Sequence, residues 1–233
     1  TNDNLLSFTQ EITPIALVVP KKMDENTNEE FVGLAQMLIQ QHLLFRMVHE
    51  EDLKEAIPDG TETLLMPTGE MEKTLVPALE GFAESGGTIL ICSNKIDNNI
   101  AGLVDIQMEE GELKANYVLA EKLKWPLGPI GLVGRPGLIR NWGDADVLMV
   151  ASDGLVEGNV VEEYTPLKRS KQPVAISRQL GKGRVVYFAA GLGYSYQKYP
   201  HPDYSCLLEK LMALNDSQKQ KLKEIASKCP VHK

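Results

Sequence analysis

The chain has 233 residues, 43% of them hydrophobic and 24% charged, enough to bury a full core in one large domain or at most two. Its formal net charge of -8 argues against a nucleic-acid partner, because such domains present a basic face to the phosphate backbone. Three irregularly spaced cysteines, Cys92, Cys206 and Cys229, indicate neither a disulfide framework nor a zinc site, and they fit a reducing, cytoplasmic compartment.

No apolar run approaches the roughly 20 residues that span a bilayer and no signal peptide opens the chain, so no membrane partner is expected. The first residue is Thr1 rather than Met, which leaves room for a segment lost by processing or excision. Pro14 to Pro20 is a short apolar run bounded by prolines, the pattern of a strand buried on both faces of a parallel sheet. Glu29 to Leu43 places Phe31, Leu34, Ala35, Leu38 and Ile39 on one helical face, and Phe45 to Val48 follows as a second strand. Glu62 to Pro67 reads as a third strand. Met71 to Ser85 is again amphipathic through Leu75, Leu79 and Phe82, and Gly86-Gly87 stops it before a strand at Thr88 to Cys92.

The middle of the chain changes character. Ala101 to Ile106 and Glu112 to Leu119 read as a small antiparallel pair around Glu109-Glu110-Gly111, within an excursion from the sheet spanning about 101–143. Trp125 to Gly143 reads as a long Gly/Pro-rich loop, a length that is often functional or partner-facing. Ala145 to Ala151 returns to the core sheet, and Pro173 to Leu180 with Gly183 to Phe188 forms a hairpin about Gly181-Lys182. A loop, Tyr194 to Asp203, leads into an apolar helix from Tyr204 to Leu214, and residues 215–233 form a polar helical tail. The predicted fold is an α/β, flavodoxin-like three-layer α/β/α sandwich over residues 1–214, its sheet mostly parallel with a late antiparallel hairpin.

The late hairpin, the loop holding His201-Pro202 and the closing helix resemble the last third of class I glutamine amidotransferase-like domains. The phrases Leu65-Met66-Pro67 and Phe82 to Leu90 extend that resemblance over roughly Ile15 to Leu214. It is most similar to the non-catalytic version in bacterial beta-galactosidases, the trimerisation domain. The resemblance implies an accessory or oligomerisation domain whose partner is its own oligomer or a neighbouring glycoside hydrolase domain.

Catalytic relatives carry a nucleophilic cysteine just after the fourth strand, where Cys92 stands, and a histidine after the last core strand, where His201 is the candidate. Ile91-Cys92-Ser93-Asn94 lacks the glycines that flank that elbow, and His201 is displaced about a dozen residues beyond Phe188. No catalytic residue is therefore favoured; a cysteine-dependent hydrolase or amidotransferase-like enzyme using Cys92 and His201 is the alternative. A carbohydrate-binding module is the third reading, built on Tyr194, Tyr196, Tyr199 and Tyr204 together with Trp125 and Trp142, since such rings suit sugars and protein interfaces alike. Cysteine is more often a small core hydrophobe, and His201 between two prolines more often rigidifies a loop and starts a helix. Lys21-Lys22 after the first strand reads as solvated, as do His42 and His49 beside the second. There is no GxGxxG, Walker or metal-spacing motif, so no cofactor and no metal is expected.

Overall fold

The computed structural model describes residues 13–124, 128–153 and 168–212. Five strands run parallel on one side of a nine-stranded sheet: β1 (Ile15–Val19), β2 (Phe45–His49), β3 (Thr63–Met66), β4 (Thr88–Cys92) and β11 (Gly183–Phe188). The other side is antiparallel, through β10 (Lys168–Leu180), β9 (Asp146–Asp153), β6 (Tyr117–Ala120) and β7 (Ile130–Gly131). The order across the sheet is β2-β1-β3-β4-β11-β10-β9-β6-β7. The fold is thus α/β and consistent with a flavodoxin-like layout, but the sheet is mixed: the antiparallel part continues three strands beyond the hairpin.

Helices α1 (Glu25–Gln40), α4 (Leu192–Lys198) and α5 (Pro202–Met212) cover one face, and α2 (Val76–Ser85) and α3 (Asn98–Val104) cover the other. The period of two along each strand divides the core accordingly. Ile15, Leu17, Leu65, Leu90, Cys92, Val186 and Phe188 join the first core, while Ala16, Val18, Leu64, Met66, Ile89, Ile91, Val185 and Tyr187 join the second. Each fully buried Leu, Ile or Phe contributes about 1.5–3 kcal/mol, so burial on both faces makes the central strands strongly stabilising. Among the described residues, no helix is long and apolar enough to cross a membrane.

Local signals explain the helix ends. Asp24 accepts the Thr27 backbone N–H at 2.7 Å and so caps α1, which therefore starts four residues before the predicted Glu29. Ile39, placed on the core face by periodicity, is 61% exposed near the end of that helix. Gly86, at a φ of 123°, ends α2 where the predicted Gly-Gly stop stands.

Four expectations are corrected. Ala101 to Val104 is helical rather than a strand, because Ile100, Leu103 and Val104 recur at helical spacing and form the buried face of α3. The pair expected around Glu109-Glu110-Gly111 does not form: β5 (Gln107–Glu112) runs through that turn and pairs with β8 (Gly137–Asn141) in a separate two-stranded sheet. Of the strand expected at Glu112 to Leu119, beyond the Glu112 that ends β5, only Tyr117 to Leu119 lies in a strand, β6, beside β9 in the main sheet. The predicted loop from Trp125 to Gly143 accordingly contains β7 and β8, and the loop expected from Tyr194 to Asp203 is helical at both ends, within α4 up to Lys198 and within α5 from Pro202. Trp125 and the predicted tail at 215–233 lie outside the described residues.

Candidate functional site

The carboxyl ends of β1, β3, β4 and β11 open on a cleft of about 280 Å3. That edge of a parallel α/β sheet is where ligands gather, since successive loops diverge there. Its floor holds Cys92 and Glu30, its walls include Asp24 and Asn94, and Arg135 and Tyr194 contribute from the far side. Gly137 brings the second sheet against this loop system: a Cβ there would collide with the backbone of Asn94, and its N–H donates to the Ala189 carbonyl at 2.7 Å.

Glu30 is the least expected member. It projects from α1 and is only 3% exposed, although Glu25 on the same helix is exposed and Glu29 is half-buried. Its Oε1 accepts the Gly193 N–H at 2.9 Å and its Oε2 the Tyr194 N–H at 2.7 Å. These donors open α4, so the carboxyl of one helix satisfies the free N–H groups of another more than 160 residues later. Burial pushes the Glu30 carboxyl up to about 8, against the opposing pull of the backbone donors Tyr194, Gly193 and Leu192. The two helix backbones touch where glycines allow it: a Cβ on Gly33 would lie 2.7 Å from Gly193 Cα, and one on Gly193 would lie 2.8 Å from the Leu34 nitrogen.

Cys92 ends β4 with its side chain in the core, and burial first, then the neighbouring Glu30, pushes its thiol well above the usual range. A thiol so placed is held as the neutral, weakly nucleophilic form. His201 is not among the described residues lining the cleft. Its side chain is 63% exposed, and its Nδ1 accepts the Asp203 N–H at 3.3 Å as α5 begins. The structure therefore does not bring Cys92 and His201 into one described site.

The aromatic candidates are also separated. Tyr196 and Tyr204 are buried in the first core, edge to face with ring centroids 6.4 Å apart, and Tyr204 donates to the Gly131 carbonyl at 2.8 Å. Trp142 packs against the second core, on the opposite side of the sheet. Tyr194 lines the cleft, with the Lys198 ammonium 5.1 Å from its ring centre, and Tyr199 is 70% exposed at the end of α4. Lys21 pairs with Glu51 at 3.1 Å and Glu72 at 2.9 Å, in an exposed network rather than in the cleft. Among the described residues, no group of three His, Cys, Asp or Glu could hold a metal ion.

These placements predict a labelling pattern. Iodoacetamide at neutral pH should modify the exposed Cys206 while leaving Cys92 unreacted, as mapped by mass spectrometry of peptides. Faster modification of Cys92 than of Cys206, abolished in His201→Ala, would show that the buried thiol is activated after all.

No protein-family model and no curated protein sequence matches the chain. Solved structures do. The beta-galactosidase of Rahnella sp. R3 aligns at 16% identity with a TM-score of 0.62, over 87% of this chain and 32% of that one. The beta-galactosidase of Bacillus circulans sp. alkalophilus aligns at 16% identity with a TM-score of 0.61, over 86% and 31%. A protein described as ThuA-like, from Bacteroides uniformis, aligns at 12% identity with a TM-score of 0.60, over 90% of this chain and 96% of its own length. The shared property is the fold. The chain spans about a third of the length of the beta-galactosidases it resembles, and nearly the whole of the ThuA-like protein.

Proposed function

We propose that this chain is a non-catalytic accessory and oligomerisation domain of the amidotransferase-like kind, related to the trimerisation domain of beta-galactosidase-type glycoside hydrolases. The observation carrying this reading is partial coverage: nearly all of this fold corresponds to about a third of a glycoside hydrolase chain. The neutral, buried state of the Cys92 thiol supports it, because a cysteine-dependent enzyme needs a thiolate within reach of a base. The ThuA-like similarity shows that the same fold also forms almost an entire chain, so self-association is the assembly mode to test first.

Burial of Tyr196 and Tyr204 narrows the candidate contact face to the exposed Tyr199 and, from the neighbouring loop, Val133. Light scattering over a concentration series should show an oligomer, and Tyr199→Ser should shift it toward monomer, since aromatic anchors dominate interfaces of about 1,000 Å2 or more. A monomer at every concentration would remove the oligomerisation part of the proposal.

A further inference from the structure

The cleft at the carboxyl edge carries more than a scaffold requires. Its polar groups are mixed in kind. Asp24, Glu70 and Glu112 supply carboxylates, Lys95 and Arg135 supply cations, and Asn26, Asn94, Thr27 and Thr68 supply neutral amides and hydroxyls. Opposite charges nearly balance, so neither a free anion nor a free cation meets a site of complementary sign. A polyhydroxylated ring suits the mixture, because each hydroxyl both donates and accepts, and such a ligand uses carboxylate, amide and guanidinium partners together.

Two of these groups are already oriented by neighbours and, as carboxylates, keep accepting capacity. Asp24 accepts both the backbone N–H and the side-chain hydroxyl of Thr27, and Glu112 Oε1 accepts from Asn94 Nδ2 at 3.3 Å, leaving its Oε2 available. Among the described residues, no hydrogen bond or ion pair engages the side chains of Asn26, Glu70 or Arg135. The ring of Tyr194 adds an aromatic wall to the same cavity. Glu30, buried at the floor, is protonated near neutral pH and turns a carboxylate acceptor into a neutral group. The volume of about 280 Å3 lies just below the ~300–1,000 Å3 usual for ligand pockets, which fits one sugar ring rather than an oligosaccharide.

We infer that this cleft binds a single neutral monosaccharide, held by Asp24, Glu112 and Arg135 against the ring of Tyr194. The inference stands apart from the accessory role, because it rests on the cleft alone. A chain that assembles but binds no sugar keeps that role and loses this site.

Calorimetry and ligand-detected NMR with D-galactose and D-glucose test it on the chain as it exists. One equivalent of at least one neutral hexose should bind saturably, with a Kd on the order of 1 mM for so small a ligand. Arg135→Gln should weaken binding about tenfold or more, and because no described residue bonds to its guanidinium the fold should be unaffected. Asp24→Asn should do the same while preserving the helix cap, and Met47→Ala, at an exposed position of β2 outside the cleft, should leave binding unchanged. Absence of saturation at tenfold the expected Kd overturns the site, as does binding that neither cleft variant weakens. D-galacturonate or D-galactosamine binding more than about tenfold tighter than galactose overturns the neutral-ligand assignment.

Discussion

Gly33→Ala is expected to destabilise the protein by about 3 kcal/mol or more, a large part of the ~5–15 kcal/mol available to a domain. The added methyl would meet the backbone of Gly193, its carbon 2.7 Å from Cα, and a main chain cannot rotate away as a flexible side chain can. Gly193→Ala attacks the same contact from the other side, against the Leu34 nitrogen and the Glu30 backbone, and should cost a similar amount. Gly81→Ala in α2 and Gly102→Ala in α3 are the controls: nothing lies within 4 Å of the new Cβ, so each should gain up to about 1 kcal/mol of helix propensity. Urea unfolding of the four variants measures the difference. Equal midpoints for Gly33→Ala and Gly81→Ala would show that α1 and α4 do not pack backbone to backbone.

The second large effect is a pH dependence with an unusual sign. Glu30 has a folded value of about 8, above the 4.5 of the free side chain, so the folded state holds its proton more tightly than the unfolded chain. Its contribution is full below about 4.5, declines as the pH rises and is lost through about 8. The groups facing it are the Cys92 thiol from β4, the Tyr194 backbone and ring from α4, and the cleft carboxylates beyond. Other carboxylates act oppositely. Glu72, held down to about 2 by Lys54 and then Lys21, and Asp24, held down by Thr27, lose stabilisation as the pH falls. The measurement is therefore a difference: urea stability of the native protein minus that of Glu30→Gln, at intervals from pH 4.5 to 8.5. That difference should shrink by several kcal/mol across the range. A flat or rising difference would place Glu30 among ordinary ionised carboxylates.

Much of the parallel sheet was legible because its strands are buried on both faces. Pro14 and Pro20 bracket β1, Gly86-Gly87 stops α2 before β4, and the hairpin at Gly181-Lys182 falls where its turn residues stand. Periodicity failed where length was short and residues β-branched. Ala101 to Ile106 reads as strand by composition, and the helical identity of Ala101 to Val104 is decided by burial within the second core. The cleft was legible only as a location, the carboxyl edge. Cys92 and Tyr194 were picked out for their chemistry, but Glu30 sits beside Glu29 and Glu25 with no local mark of burial. Only the arrival of Gly193 and Tyr194 sets it apart, and that contact spans most of the chain. Likewise the four tyrosines look like one cluster in sequence, yet α4 turns Tyr196 inward and leaves Tyr199 outside.

The position of β11 between β4 and β10 also governs how the protein is made. A ribosome delivers Thr88 to Cys92 long before its partner at Gly183 to Phe188, and at roughly 5–20 residues per second the delay is about 5–20 s. During that interval β4 presents an open edge of five apolar-rich residues, with only β3 beside it. Helix α1 waits longer still, since Gly193 and Tyr194 must emerge before Glu30 finds its donors. Completion of the central sheet is thus a late, long-range step in which loop closure precedes its reward, and nascent chains halted before Gly183 should depend on chaperones to stay out of aggregates.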